Sequence, residues 1–137
     1  MKHFKRSNTY KASNVSYNVD EKAAHSYDWW LFTKEYKGLM VFNNHNYSPT
    51  TNRHQSKVQS LMITLGHNID LFLDTRLSLF NIEDAIKDHI ESKKSEIQAL
   101  ITKIHTKGTR KAKNKERRSQ VLELISNVRH VQSILNK

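Results

Sequence analysis

A basic segment from Lys103 to Arg118 carries the side chains whose type and spacing most clearly predict a chemical role. It contains eight lysines and arginines and one acid, so it contributes 8 − 1 = +7 to a chain of net charge +10. These cations are Lys103, Lys107, Arg110, Lys111, Lys113, Lys115, Arg117 and Arg118. Concentrated positive charge attracts polyanions, and nucleic acid is the commonest polyanion in a cell. We therefore expect this segment to bind DNA or RNA.

The spacing within the basic segment also indicates how it would bind. In a helix, Arg110, Lys113 and Arg117 share one face. Three further cations lie beside them: Lys111, Lys115 and Arg118. Like charges at these spacings repel each other, by a few tenths of a kcal/mol per pair, and either phosphates or an acidic protein would relieve that repulsion. Because no aromatic residue interleaves the segment, we expect contacts with the phosphate backbone rather than base stacking. A solvated helix face with no partner is the alternative interpretation.

A second polar cluster spans residues 43–57. Ser48 is a good N-cap and Pro49 suits the first helical position, so a helix is predicted to begin here. Arg53 and Lys57 would share one face of this helix, near an N-terminus that could hold a phosphate. They are therefore further candidates for nucleic-acid binding. Ordinary helix capping is nevertheless the favoured interpretation of the cluster, because such polar residues prefer caps.

Two histidines in this cluster, His45 and His54, raise a catalytic alternative. The stretch V-F-N-N-H-N-Y-S-P-T-T-N-R-H-Q-S-K-V superficially resembles the ββα metal-dependent nucleases that contain a His-Asn-His motif. No acid lies near in the sequence, and the cysteine pairs that often brace that fold are absent. We therefore expect His54 to be a packing residue at the edge of the core, hydrogen-bonded to backbone. No catalytic residue, metal or cofactor is assigned, and the expected function is non-enzymatic.

The bulk composition suggests one domain rich in long helices. Among 137 residues there are three glycines, one proline and no cysteine. Low glycine and proline content disfavours an all-β sandwich, and the absence of cysteine excludes disulfides and thiolate chemistry. No apolar run is long enough to span a membrane, and no secretory signal is recognised, so a cytoplasmic location without membrane partners is expected.

Three regions follow from the pattern of residues. Residues 1–25 are predicted to be a flexible basic arm, with a short strand around Val15 and Tyr17 as an alternative. Residues 26–76 are predicted to be a small antiparallel β-β-α-β unit. In it, two apolar runs flank a turn at Gly38, a helix ends near Gly66, and a third strand follows.

The third region, residues 77–137, is predicted to be a long antiparallel helical hairpin, which makes the whole chain α+β. Apolar residues recur at alternating spacings of three and four along both halves of this region, as in coiled coils. They are Ile86, Ile90, Ile97, Leu100 and Ile104, with Lys93 as the one polar break in the spacing, then Val121, Leu124, Val128, Val131 and Leu135. Gly108-Thr109 offers a break between the helices and places the basic segment at the tip. A continuous helical rod that forms a homodimer is the competing picture.

Residues 29–66 are similar to small uncharacterised accessory domains encoded by bacteriophages and mobile elements. The similarity rests on the aromatic strand, the Phe42-Asn43 strand end, and the run from His54 to Val58. It implies a setting in a bacterial host cytoplasm, where the protein acts on nucleic acid or on a host defence machine. The basic segment makes nucleic-acid binding through phosphates the predicted function. A protein-interaction module or inhibitor that docks onto a host protein or nucleoprotein complex is the alternative, and a metal-dependent nuclease is the third.

Overall fold

The computed structural model of the chain describes residues 5–6, 9–12, 14–27, 29–106 and 111–137. The chain divides into two compact units, Met1–Ala85 and Ile86–Lys137. The fold is α+β: a sheet and one helix in the first unit, and two helices that pack against each other in the second. The boundary between the units falls within the first turn of a helix. No helix within the described ranges has the length and apolar character needed to cross a membrane.

Seven strands in the described part of the first unit form a single sheet whose spatial order follows the chain. They are β1 (Lys5–Arg6), β2 (Thr9–Ala12), β3 (Val15–Asn18), β4 (Ala23–Ser26), β5 (Trp30–Tyr36), β6 (Leu39–Asn43) and β7 (Leu71–Leu73). Neighbours from β1 to β6 are antiparallel. The helix α1 (Pro49–Thr64) connects β6 to β7, and these two strands are parallel.

The parallel pairing corrects the prediction of a purely antiparallel β-β-α-β unit. A strand that follows a helical crossover can return in the same direction as its neighbour, whereas a tight turn forces reversal. The tight turn is where it was predicted, at Lys37 and Gly38 between β5 and β6, with φ of 51° and 79°. Two successive positive φ angles are typical of the hairpin turns that match the twist of antiparallel strands.

Strands β2 to β4 correct the prediction of a flexible arm over residues 1–25. Val15 and Tyr17 alternate toward the core, as the short-strand alternative anticipated. Around them, Ala12, Ala24 and Ser26 are buried as well. Small residues leave little hydrophobic pattern in a sequence, but they bury well where a helix packs closely on a sheet.

The helix α1 covers one face of the sheet. Val58, Leu61 and Met62 pack against aromatic and aliphatic side chains that alternate along the strands. The strand residues of this core are Ala12, Val15, Tyr17, Ala24, Trp30, Phe32, Met40 and Phe42. Burial raises the pKa of Tyr17 to about 12, and its hydroxyl lies 2.5 Å from Nδ1 of His67. Ser48 caps α1 as predicted, because its Oγ accepts a hydrogen bond of 3.1 Å from the Thr51 N–H.

The last two helices are α2 (Ile82–Ile104) and α3 (Lys111–Leu135). A 3₁₀ turn at Leu79–Asn81 precedes α2, and the side chain of Asn81 accepts from the Asp84 N–H, as expected of a cap. Within the second unit, His89 and Asn127 share a hydrogen bond of 2.9 Å. Most of the predicted apolar seam is buried or half-buried, and Ile134, 1% exposed, packs more deeply than Leu135.

Candidate nucleic-acid interface

The basic segment occupies the end of α2 and the first two turns of α3. Lys103 is in the last turn of α2, and five cations from Lys111 to Arg118 lie on α3. The candidates Lys107 and Arg110 are outside the described residues, as is the predicted break at 108–109. α3 carries 6 − 2 = +4 charges, whereas α2 carries 4 − 5 = −1. The positive charge therefore belongs to α3, and it is concentrated at the N-terminal end of that helix.

Three of these cations form what we call the α3 basic face: Lys111, Lys115 and Arg118. Their spacing of four and three residues aligns them along one stripe of the helix, and all three are exposed. Lys113 is exposed too but lies on a different side of α3. Within the described part of the chain, none of these four cations forms an ion pair. Their charge is therefore not neutralised by a neighbouring acid.

Arg117 and Lys103 play a different part from the α3 basic face. Arg117 is half-buried and donates a hydrogen bond of 3.3 Å to Asn114 Oδ1. Asn114 in turn donates 3.3 Å to the Ile104 carbonyl, so this pair bridges the end of α2 to the start of α3. Lys103 lines a groove between the two helices that also contains Glu96 and Glu123. Arg117 therefore has a partner within the helix pair, whereas Lys113, four residues earlier on α3, is exposed.

The polar cluster at residues 43–57 is mainly a brace for the fold. Asn43 is fully buried, and three hydrogen bonds join its side chain to the backbone of two residues: it donates 2.7 Å to the Thr75 carbonyl and accepts from the N–H groups of His45 and Thr75. Gln55 on α1 donates 2.7 Å to the Asn43 carbonyl. These bonds close the β6–α1 loop against the segment that follows β7. The favoured interpretation, in which the cluster serves capping and loop packing, agrees with this geometry.

His45 and His54 have separate partners. His45 Nδ1 lies 2.6 Å from Asp74 Oδ1, at the carboxyl ends of the parallel strands β6 and β7. The sequence pattern showed no acid near His45, because Asp74 is distant along the chain and is brought close only by the parallel pairing. His54 is buried and shares a hydrogen bond of 2.7 Å with Ser26 Oγ on β4, rather than with backbone. Among the described residues, no group of three or more His, Cys, Asp or Glu could hold a metal ion.

Arg53 and Lys57 are both exposed on α1, one turn apart, and flank the buried His54. Burial, followed by the nearby charges of Lys57 and Arg53, lowers the pKa of His54, which is therefore neutral at pH 7. Neither cation has an ion-pair partner in the described ranges of the chain. These two candidates thus form a second, smaller basic area in the first unit.

Sequence reasoning missed three exposed aromatic side chains, Tyr27, Trp29 and Tyr47. Trp29 was grouped with the apolar run that follows it, although the strand β5 begins only at Trp30. The available signal was position: Tyr27 and Trp29 flank strands and Tyr47 directly precedes the helix N-cap, so none of the three alternates within a strand. In the structure they lie in the loops just before β5 and just before α1.

Comparison with known proteins finds no matching family model, curated protein or solved structure. The site is therefore interpreted from its own geometry and charge.

Proposed function

We propose that this protein is a non-enzymatic nucleic-acid-binding protein that contacts phosphates through the α3 basic face. One observation carries the proposal: Lys111, Lys115 and Arg118 are exposed, aligned, and without an ion pair in the described part of the chain. Holding three like charges on one stripe costs free energy in the isolated helix. A row of phosphates would turn that repulsion into attraction and would release condensed counterions.

The proposal includes an antiparallel arrangement of α2 and α3. Two hydrogen bonds support it, one between His89 and Asn127 and one between Asn114 and Ile104. Residues early in α2 thus contact residues late in α3, and the end of α2 contacts the start of α3. A fold-back of this kind brings Lys103 to the same end of the helix pair as the α3 basic face. In a continuous rod, the same residues would meet only between the two chains of a dimer.

The contacts we propose carry little sequence information. Lysine and arginine on an exposed helix face reach phosphate oxygens, which are the same at every base pair. The face itself presents no aromatic side chain between Lys111 and Arg118. We therefore propose binding with low sequence specificity and strong salt dependence, to DNA or RNA.

A protein partner is the second candidate, favoured by one specific observation. Leu122 continues the stripe of the α3 basic face and is 68% exposed, beside a groove lined by Ile101, Ile104 and Val121. An exposed leucine next to cations suits an acidic protein with an apolar anchor better than it suits phosphates. Replacing Leu122 with Gln should leave nucleic-acid affinity unchanged if phosphates are the partner.

The salt dependence of binding tests the proposal. Duplex DNA and single-stranded oligonucleotides are titrated with the full chain at several salt concentrations, and the slope of log affinity against log salt is measured. A variant in which Gln replaces the three cations of the α3 basic face should have a shallower slope. An unchanged slope would remove this face as the binding site.

A further inference from the structure

Three of the exposed aromatic side chains in the first unit lie in loops rather than on a strand or helix. Tyr27 is 43% exposed, Trp29 is 54% exposed and Tyr47 is 47% exposed. Aromatic side chains contribute most to stability when they are buried, and a half-exposed tryptophan forgoes much of that contribution. Tyr47 lies just before α1 and contacts Trp29, and Tyr27 contacts His54 in the second turn of α1.

These aromatics are held in position by the core beneath them. The Trp29 and Tyr47 rings meet edge to face, with centroids 5.8 Å apart. Tyr47 also contacts the ring of Trp30, 5.5 Å away, and Trp30 is 1% exposed with its indole N–H donating to the Arg76 carbonyl. The exposed pair is thus anchored on a buried tryptophan. Such preorganisation lowers the entropy lost when a ligand binds.

The two cations of α1 are helix neighbours of a histidine that contacts one of these rings. The Tyr27 ring centroid is 5.4 Å from that of His54, and Arg53 and Lys57 flank His54 on the helix. Both cations are exposed, and each lies within one turn of His54 on the helix. Rings for stacking and cations for phosphates therefore occur together in one area of the first unit.

We propose that Tyr27, Trp29, Tyr47, Arg53 and Lys57 form an aromatic–basic surface that binds single-stranded nucleic acid, with bases stacked on the rings and phosphates held by the cations. The inference rests on the proposed function, and it names the class of nucleic acid that the first unit selects. Unpaired bases have faces free to stack on aromatic rings, whereas the bases of a duplex are already stacked on one another. The α3 basic face would bind either form, but the aromatic–basic surface favours the single strand.

The experiment uses the full chain with oligothymidine, oligouridine and a DNA duplex of matched length. Replacing Trp29 with Ala should weaken binding of the single strands by roughly 5- to 150-fold, the range for loss of one stacked base, and should leave duplex affinity unchanged. The two single-stranded probes separate DNA from RNA as the preferred ligand. Replacing Arg53 and Lys57 with Gln should reduce the single-strand salt slope by about 2 × 0.7 = 1.4.

Phe80 provides the matched control for Trp29. It is 61% exposed in the same unit, and its ring contacts His25. Because Ser26 on β4 points to α1, its neighbour His25 points to the opposite face of the sheet. Replacing Phe80 with Ala therefore removes an exposed aromatic on the opposite face of the sheet from Ser26 and α1, and it should leave binding of all three probes unchanged.

Tryptophan fluorescence gives a direct reading that does not depend on comparing affinities. A base stacked on Trp29 should quench its emission, while the buried Trp30 remains unaffected. The Trp29→Phe variant, which keeps a ring for folding, should therefore lose the quenching by oligothymidine.

Three results would overturn the inference: unchanged single-strand affinity in the Trp29→Ala variant, an equal loss for single strand and duplex, or an equal loss in the Phe80→Ala control. The proposed function is tested separately, by the salt slope of the α3 variant on duplex DNA. If substitution of the α3 basic face flattens the duplex salt slope but Trp29→Ala has no effect, the proposed function stands and only this inference is refuted.

Discussion

Replacing Lys111, Lys115 and Arg118 with Gln removes three positive charges from the α3 basic face without touching the apolar side of the helix. All three side chains are exposed, and within the described part of the chain they form no ion pair. Gln is a good helix former, and the substitution also removes the repulsion between neighbouring cations. We therefore expect the free energy of unfolding of the variant to stay within about 0.5 kcal/mol of wild type.

The expected loss of binding follows from counting phosphates. Each neutralised phosphate of duplex DNA contributes about 0.9 to the slope of log affinity against log salt, so three contribute about 2.7. Raising the salt from about 50 to about 200 mM should then weaken wild-type binding roughly 40-fold more than it weakens binding by the variant. Fluorescence anisotropy with a labelled duplex measures both slopes.

A control with the same change in net charge separates a local effect from a general one. Replacing Lys37, Lys87 and Lys94 with Gln removes three exposed charges outside the α3 basic face. Lys37 lies in the turn between β5 and β6, and the other two lie on α2. If the slope falls equally in both triple variants, net charge and not the α3 basic face governs binding. If neither slope changes, phosphate contact by α3 is refuted.

Three other predictions test the surroundings of this site. His54→Leu should destabilise the fold at pH 7 by about 1–3 kcal/mol, because it leaves the buried Ser26 hydroxyl without its partner. Because the pKa of His54 is lowered in the folded state, wild-type stability should fall as the pH drops below about 6.5, and urea titrations should show this loss reduced in the variant. Tyr17 should ionise near its raised pKa of about 12, so the Tyr17→Phe variant should lose that late step in an ultraviolet titration, while an unchanged curve would place the step elsewhere. Cysteines introduced at Ala99 and Gln120, which line the same groove, should cross-link within one chain, and cross-linked dimers alone would favour the rod.

The parts of the fold that were predicted correctly depend on local chemistry. The turn at Lys37-Gly38, the Ser48-Pro49 start of α1 and the end of α1 near Gly66 are each specified by neighbouring residues. Strands β2 and β4 were missed because their buried positions are alanine and serine, whose burial depends on the helix packed above them. A hydrophobic pattern cannot report contacts made with residues far along the chain.

The candidate site likewise has features that the local sequence predicts and features that depend on contacts between distant residues. The charge of α3 is a local property, so its position along the chain was predicted. The half-buried position of Arg117 depends instead on how α3 meets α2. The pairing of His45 with Asp74 depends on the parallel alignment of β6 and β7, which the residues between them do not specify. The exposure of Trp29 depends on where β5 begins, and an aromatic run gives no sign of that boundary.

The sequential order of the strands has a consequence for folding kinetics. From β1 to β6 every pairing joins neighbouring segments, so each antiparallel ladder can form by closing a short turn. The pairing of β6 with β7 is different, since Val41 and Leu71 lie 71 − 41 = 30 residues apart. Folding rates fall as contacting residues become more distant along the chain, because loop closure costs entropy before the contacts form. Docking of β7, secured by the buried side chain of Asn43, should therefore be the late step in the refolding of the first unit.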